Sequence, residues 1–136
     1  MAPIITTHFM KKLLSAIAGL LFAGQAMAQN VENVEVNQFK QYIDTYQQAY
    51  ILDVRTPSEY AAGKIPGSVN ININDPQFQQ KIAELDPSRP VLVYCLSGGR
   101  SSRAANMLAN GGFTAVYNLT GGIRAWSASG QKVEKP

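Results

Sequence analysis

The sequence contains one cysteine and one histidine among 136 residues, and this scarcity excludes several kinds of site. A single thiol, Cys95, cannot form an internal disulfide and is too little for a cysteine metal centre. The one imidazole, His8, lies in a leader that we expect to be removed. The remaining chain therefore has no Cys–His or Ser–His mechanism and no histidine metal site. Charged residues are also few, at 15%, and no basic tract indicates binding to nucleic acid.

Residues 1–28 have the pattern of a secretory signal peptide. Two lysines precede an apolar run at 13–24, and a small-residue site, A-M-A at 26–28, follows it. The apolar run is too short to span a bilayer comfortably. We therefore expect cleavage after this site, a mature domain over 29–136, and a periplasmic protein that is not attached to the membrane. An uncleaved anchor or a buried helix is the alternative interpretation, and Met10 is an alternative start.

The rest of the chain alternates apolar runs with helical patterns, and this predicts one α/β domain. Asn37 and Thr56 are predicted helix N-caps, with Pro57 as first helical residue and Glu59 completing a capping box. Strands are predicted at 31–36, 50–54, 91–95 and 114–118, and helices at about 37–44, from 56, 75–85, 100–110 and within 119–130. Strands that alternate with helices imply a parallel sheet with helices on both faces.

The loop after the third predicted strand is the candidate site, because ligands gather at the carboxyl ends of parallel strands. Cys95 ends that strand, and the residues that follow it are Leu96, Ser97, Gly98, Gly99 and Arg100. The two glycines allow backbone amides to turn inward, Arg100 adds a planar cation, Ser97 offers a hydrogen bond, and the helix start favours negative charge. Together they favour a thiolate that needs no general base. The alternative is that Cys95 is a small hydrophobic residue that merely ends a buried strand.

Four segments resemble, in order, the signature segments of the rhodanese (sulfurtransferase) domain family. They are DVRTPSEY at 53–60, GKIPGSVNI at 63–71, VLVYCLSGGRS at 91–101 and NLTGGIRAW at 118–126. The resemblance covers nearly all of residues 31–130 and implies a single rhodanese-like domain.

By this resemblance, Cys95 is the nucleophile that becomes a persulfide, and residues 96–100 form the loop that binds the substrate. Asp53 and Arg55 are implied to support the fold as an ion pair rather than to react. Lys64 departs from the family, which commonly has histidine there, and we assign it no role.

The length of the loop separates two related activities. Four residues lie between Cys95 and Arg100, whereas related cysteine phosphatases have five and thus a wider cradle for phosphate. The resemblance therefore implies a monomeric sulfurtransferase that moves sulfur from thiosulfate to cyanide or a thiol, without metal or organic cofactor. One alternative is a sulfur carrier or binding module that exchanges sulfur with a protein partner. A cysteine phosphatase is the less favoured alternative.

Overall fold

The structure is a computed structural model that describes residues 30–136, and the expected signal peptide lies outside these residues. The elements, in chain order, are β1 Val31–Val34, α1 Val36–Thr45, β2 Tyr50–Asp53, α2 Pro57–Ala62, β3 Val69–Asn70, α3 Phe78–Ala83, β4 Val91–Tyr94, α4 Gly99–Asn110, β5 Val116–Leu119 and α5 Gly122–Ala128. None of the helices in this part of the chain is long and apolar enough to cross a membrane.

The five strands form one parallel sheet in the order β1-β5-β4-β2-β3. The middle strand, β4, pairs with β2 through Leu52 and Val93 and with β5 through Val93 and Asn118. All four residues of β4 are buried, as is typical of a parallel strand that is covered on both faces. The carboxyl end of this central strand leads directly into the candidate loop.

Helices cover both faces of the sheet, as predicted. On one face α3 and α4 pack against the sheet, and the buried residues include Val91, Val93, Phe78, Ile82, Ala104, Ala105 and Leu108. On the other face α1 and α5 pack against it, and the buried residues include Leu92, Tyr94, Phe39, Ile123 and Trp126. Burying one large apolar side chain contributes roughly 1.5–3 kcal/mol, so two such cores can hold a rigid sheet. The predicted α/β fold, a parallel sheet with helices on both faces, is confirmed.

The starts of two helices differ from the prediction. The first, α1, has Glu35 rather than Asn37 at its N-cap, and Glu35 makes no side-chain capping hydrogen bond. The helix predicted from Asp75 begins only at Phe78. Asp75 Oδ1 instead accepts the backbone N–H of Gln77 at 2.8 Å, and this local turn competes with the helix.

The start of α2 agrees with the prediction in detail. Thr56 Oγ1 accepts the N–H of Glu59, and Glu59 Oε1 accepts the N–H of Thr56, each at 3.3 Å. Pro57 occupies the first turn. The two-residue strand β3 was not predicted as a strand, because it is too short to show any periodicity.

Candidate active site

Cys95 directly follows β4, in the loop that connects this strand to α4, and only 1% of the residue is exposed. Gly98 caps α4 with a φ of +116°, a conformation that residues with an L side chain rarely adopt. The predicted need for glycine is confirmed at this position. It is wrong for Gly99, whose φ is not positive and where an added Cβ would meet nothing within 4 Å.

Two hydrogen bonds reach the sulfur of Cys95. The backbone N–H of Gly98 donates to Sγ at 3.1 Å, and the hydroxyl of Ser101 donates to it at 3.3 Å. Burial is the largest single influence on the thiol and would raise its pKa. The Ser101 hydroxyl and the backbone amides of Ser101, Gly98 and Ser97 outweigh it, so the pKa of Cys95 lies below its ordinary value. The geometry therefore lowers the pKa of the thiol without any neighbouring base.

Ser101 is the site residue that the sequence reasoning missed. It is fully buried in the first turn of α4, which directs its hydroxyl toward the loop. Ser97, which was predicted to supply a hydrogen bond, is exposed and acts on the sulfur through its backbone N–H. The sequence indicates this role for Ser101 only by its position. The first turn of a helix carries unpaired N–H groups, and this helix starts beside the cysteine, so a serine in that turn lies close to the loop.

Arg100 is held by a carboxylate rather than by the thiol. Its Nη1 donates to Oε1 of Glu59 at 2.7 Å and its Nη2 donates to Oε2 at 3.0 Å. The side chains of Arg100 and Glu59 are 27% and 29% exposed, so this bidentate pair is partly shielded from water. Chiefly through these hydrogen bonds, Arg100 lowers the pKa of Glu59 to about 2. A role for Arg100 in binding substrate stays a prediction.

Asp53 and Arg55 form a buried ion pair beneath the site, as the resemblance implied. Arg55 Nη2 donates to Asp53 Oδ2 at 2.6 Å. Arg55 is 5% exposed and Asp53 is 0% exposed. The same Nη2 also donates to the carbonyl of Gly63 at 2.7 Å. The pair thus joins the end of β2 to the segment after α2 and leaves no free charge.

Lys64, where the family commonly has histidine, contacts its own neighbourhood. Its Nζ donates to the hydroxyl of Tyr60 at 3.1 Å and to the carbonyl of Ser68 at 3.3 Å. Its backbone pairs with Glu134 in an antiparallel bridge. These contacts tie the C-terminal segment to the turn before β3.

The start of α5 is hydrogen-bonded to the backbone of the cysteine loop. The N–H of Ile123 donates to the carbonyl of Cys95 at 2.9 Å, and that of Arg124 donates to the carbonyl of Leu96 at 3.1 Å. A Cβ at Gly122 would lie 2.4 Å from the Leu96 oxygen, so only glycine permits this approach. The segment NLTGGIRAW, which had no assigned role, therefore fixes the position of the nucleophile.

An open groove of about 490 Å³ lies beside the cysteine loop, and we call it the loop groove. Leu96 contributes from the loop itself, and Glu59 and Arg124 bring charge to its walls. The other lining residues are Arg55, Ala62, Gly63, Ile123, Ser127, Ala128 and Val133. Within residues 30–136 no three His, Cys, Asp or Glu side chains come together where they could hold a metal ion. The chemistry that this site offers is nucleophilic attack by a thiolate held by neutral hydrogen-bond donors.

Comparison with known proteins identifies relatives over most of the described chain. The family model "Rhodanese-like domain" matches residues 35–129. The "Thiosulfate sulfurtransferase GlpE" of Pseudoalteromonas translucida is 34% identical over 106 residues, which are 76% of this chain and 97% of the relative. Two proteins of Bacillus subtilis are longer than the matched region. "Uncharacterized protein YqhL" is 41% identical over a match that covers 60% of this chain and 63% of that protein. "Putative sulfur carrier protein YrkF" is 33% identical over a match that covers 74% of this chain and 53% of that protein.

Solved structures show the same fold. A crystal structure of a rhodanese-related protein from Thermoplasma volcanium superimposes with a TM-score of 0.67 at 29% identity. The match covers 76% of this chain and 97% of that one. The shared region therefore comprises almost the whole of that compact domain.

Proposed function

The chain belongs to the rhodanese-like domain family, and from this premise we propose that it moves a sulfane sulfur from a donor such as thiosulfate to cyanide or a thiol. The observation that carries the proposal is the sulfur of Cys95, which receives hydrogen bonds from Gly98 and Ser101 that favour its thiolate. The relative from Pseudoalteromonas translucida, named a thiosulfate sulfurtransferase, supports thiosulfate as the donor.

The first half of the reaction loads the cysteine. The thiolate of Cys95 attacks the outer sulfur of thiosulfate, a bond forms between the two sulfur atoms, and sulfite leaves with the electron pair of the broken S–S bond. The hydrogen bonds to Sγ lower the pKa of Cys95, so the proposed attack by the thiolate uses no neighbouring base. The inward-facing N–H of Gly98 and the hydroxyl of Ser101 are the donors available to hold the persulfide.

The second half returns the cysteine to its starting state. Cyanide or an acceptor thiolate attacks the terminal sulfur of the persulfide, and the Cys95 thiolate leaves. The carbonyls of Cys95 and Leu96 remain bonded to the start of α5 throughout, so the backbone beneath the sulfur does not have to move between the two steps.

A sulfur carrier is the second candidate. One relative is named a putative sulfur carrier, and the loop groove beside Leu96 gives room for part of a larger acceptor. In this case Cys95 exchanges sulfur with a partner protein and turns over small molecules poorly. A cysteine phosphatase is a third, weaker candidate, because four residues rather than five separate Cys95 from Arg100.

The pattern of the leader supports a place for this reaction in the periplasm. Residues 1–28 carry the charged, apolar and small-residue regions of a signal peptide. N-terminal sequencing of the protein recovered from periplasmic extract tests this assignment, and retention of the leader in the cytoplasm contradicts it.

The decisive experiment is mass spectrometry of the protein after incubation with thiosulfate. We expect a gain of one sulfur atom on Cys95, its loss on adding cyanide, and no gain in Cys95→Ser, because serine has no accessible anion at neutral pH. Rapid turnover with cyanide favours the enzyme, and slow turnover of a loaded protein favours the carrier. Hydrolysis of an aryl phosphate without any gain of sulfur refutes both.

A further inference from the structure

The cation next to the nucleophile is already neutralised within the protein. Both terminal nitrogens of Arg100 donate to the two carboxylate oxygens of Glu59, and this carboxylate comes from α2, 41 residues earlier in the chain. Arg55 is paired in the same way with Asp53. Each pair has no net charge, so neither supplies a free positive charge to the loop.

The sulfur itself is stabilised by neutral groups. Its hydrogen bonds come from the N–H of Gly98 and the hydroxyl of Ser101, not from a guanidinium. A negative charge on Cys95 is therefore not offset by a free guanidinium from either the Arg100–Glu59 pair or the Arg55–Asp53 pair. Glu59 and Leu96 both line the loop groove, together with the exposed Arg124, so a donor that occupies this groove meets the carboxylate as well as this cation.

We propose that Glu59 determines which sulfur donors the site accepts. By neutralising Arg100 it disfavours the dianion thiosulfate and favours organic sulfane-sulfur donors that carry a single negative charge. This inference rests on the proposed function, because it names the donor class of the same cysteine. Each additional negative charge on the donor is repelled by the Cys95 thiolate, and its attraction to Arg100 is offset by the repulsion from Glu59.

An organic thiosulfonate, R–SO2–S⁻, is the matched probe for this proposal. The thiolate of Cys95 attacks its outer sulfur, the bond between the two sulfur atoms of the donor breaks, and the sulfinate R–SO2⁻ leaves with the electron pair. Cys95 is left as the persulfide anion, so the total charge is unchanged. Thiosulfate undergoes the same step with sulfite as leaving group and differs by one additional negative charge.

The substitution Glu59→Gln separates the charge of this residue from its structural role. Glutamine also completes a capping box, so the hydrogen bonds that link residue 59 to Thr56 can be retained. It can still accept one hydrogen bond from Arg100, which then keeps its positive charge unneutralised. Glu59→Asp retains the charge with a shorter side chain, and it tests whether charge or length matters.

The experiment compares kcat/KM for thiosulfate and methanethiosulfonate, with cyanide as acceptor. In Glu59→Gln we expect the ratio of thiosulfate to methanethiosulfonate to rise about three- to tenfold, and the rise to shrink at high ionic strength. Glu59→Asp should keep a ratio close to that of the unmodified protein. Asp75→Asn removes the carboxylate from a different ion pair, with Lys81, and should leave both donors unchanged.

The failure of this proposal can be told apart from the failure of the proposed function. An unchanged donor ratio in Glu59→Gln, or an equal loss with both donors, shows that Glu59 acts only on the structure. If Cys95 of the unmodified protein gains no sulfur from either donor, the proposed function fails instead.

Discussion

Removing the hydroxyl of Ser101 tests whether hydrogen bonds alone make Cys95 reactive. Ser101→Ala deletes one of the two donors to Sγ, and the N–H of Gly98 remains at 3.1 Å. The carbonyl of Gly98, at 3.2 Å the alternative acceptor for the single proton of this hydroxyl, keeps the N–H of Ser102 at 3.0 Å, so no buried acceptor is left unpaired. The substitution therefore changes the thiolate and little else.

The size of the effect follows from the strength of the lost hydrogen bond. A hydrogen bond to a charged group contributes about 1.5–3 kcal/mol, and because sulfur is a weak acceptor we take the lower end. This free energy corresponds to about a tenfold change in the ionisation equilibrium. The bond lowers the pKa of Cys95, so its loss raises that pKa. Below the pKa the thiolate fraction should fall about tenfold, and well above it the variant and the unmodified protein should be equal.

The assay is the rate of alkylation by iodoacetamide as a function of pH, with sulfur transfer measured in parallel. Ser102→Ala is the matched control, because this neighbouring side chain is exposed. We expect the curve of Ser101→Ala to move to higher pH and that of Ser102→Ala to stay in place. Coinciding curves for all three proteins would refute the argument that Ser101 stabilises the thiolate.

Two further predictions concern the support beneath the loop. Gly122→Ala places a Cβ 2.4 Å from the Leu96 oxygen at a φ of +59°, and should lower the free energy of unfolding in urea by about 3 kcal/mol or more. Gly112→Ala, at a φ of +99° with open space, should cost only about 1–2 kcal/mol, and equal losses would contradict the contact argument. Asp53→Asn leaves a buried guanidinium without its counter-ion and should cost about 3 kcal/mol in the same titration. Asp44→Asn breaks an exposed pair and should change stability by less than about 1 kcal/mol, so a similar loss in both would refute this reasoning.

The sequence predicts those parts of the structure whose cause is local. The apolar runs that become β2 and β4 are recognisable because strands in a covered parallel sheet are buried on both faces. The capping box that opens α2 lies within four consecutive residues, Thr56 to Glu59. The position of Cys95 at a strand end follows from the same patterns, and with it the choice of site.

The parts that could not be predicted depend on contacts between distant segments. The sequence predicts Glu59 only as the residue that completes a capping box, and its ion pair with Arg100 spans 41 residues. No pattern in the sequence shows that the guanidinium is occupied. The role of Ser101 depends on where α4 starts, since moving that start by one residue turns a different side chain toward the sulfur.

The pairing of β1 with β5 has a consequence for the order of folding. Val31 lies opposite Val116, and the side chains of Asn33 and Asn118 are bonded across 85 residues, so the first strand is completed by the last. A chain that emerges N-terminus first cannot pair β1 with its partner strand until residues 116–119 have been made. Contacts of such long range also slow folding, because the entropy of closing the chain is lost before the strands can pair. A chain shortened before residue 116 should therefore lose β5 and also leave β1 without a partner strand, and a growing chain should stay open until β5 is available.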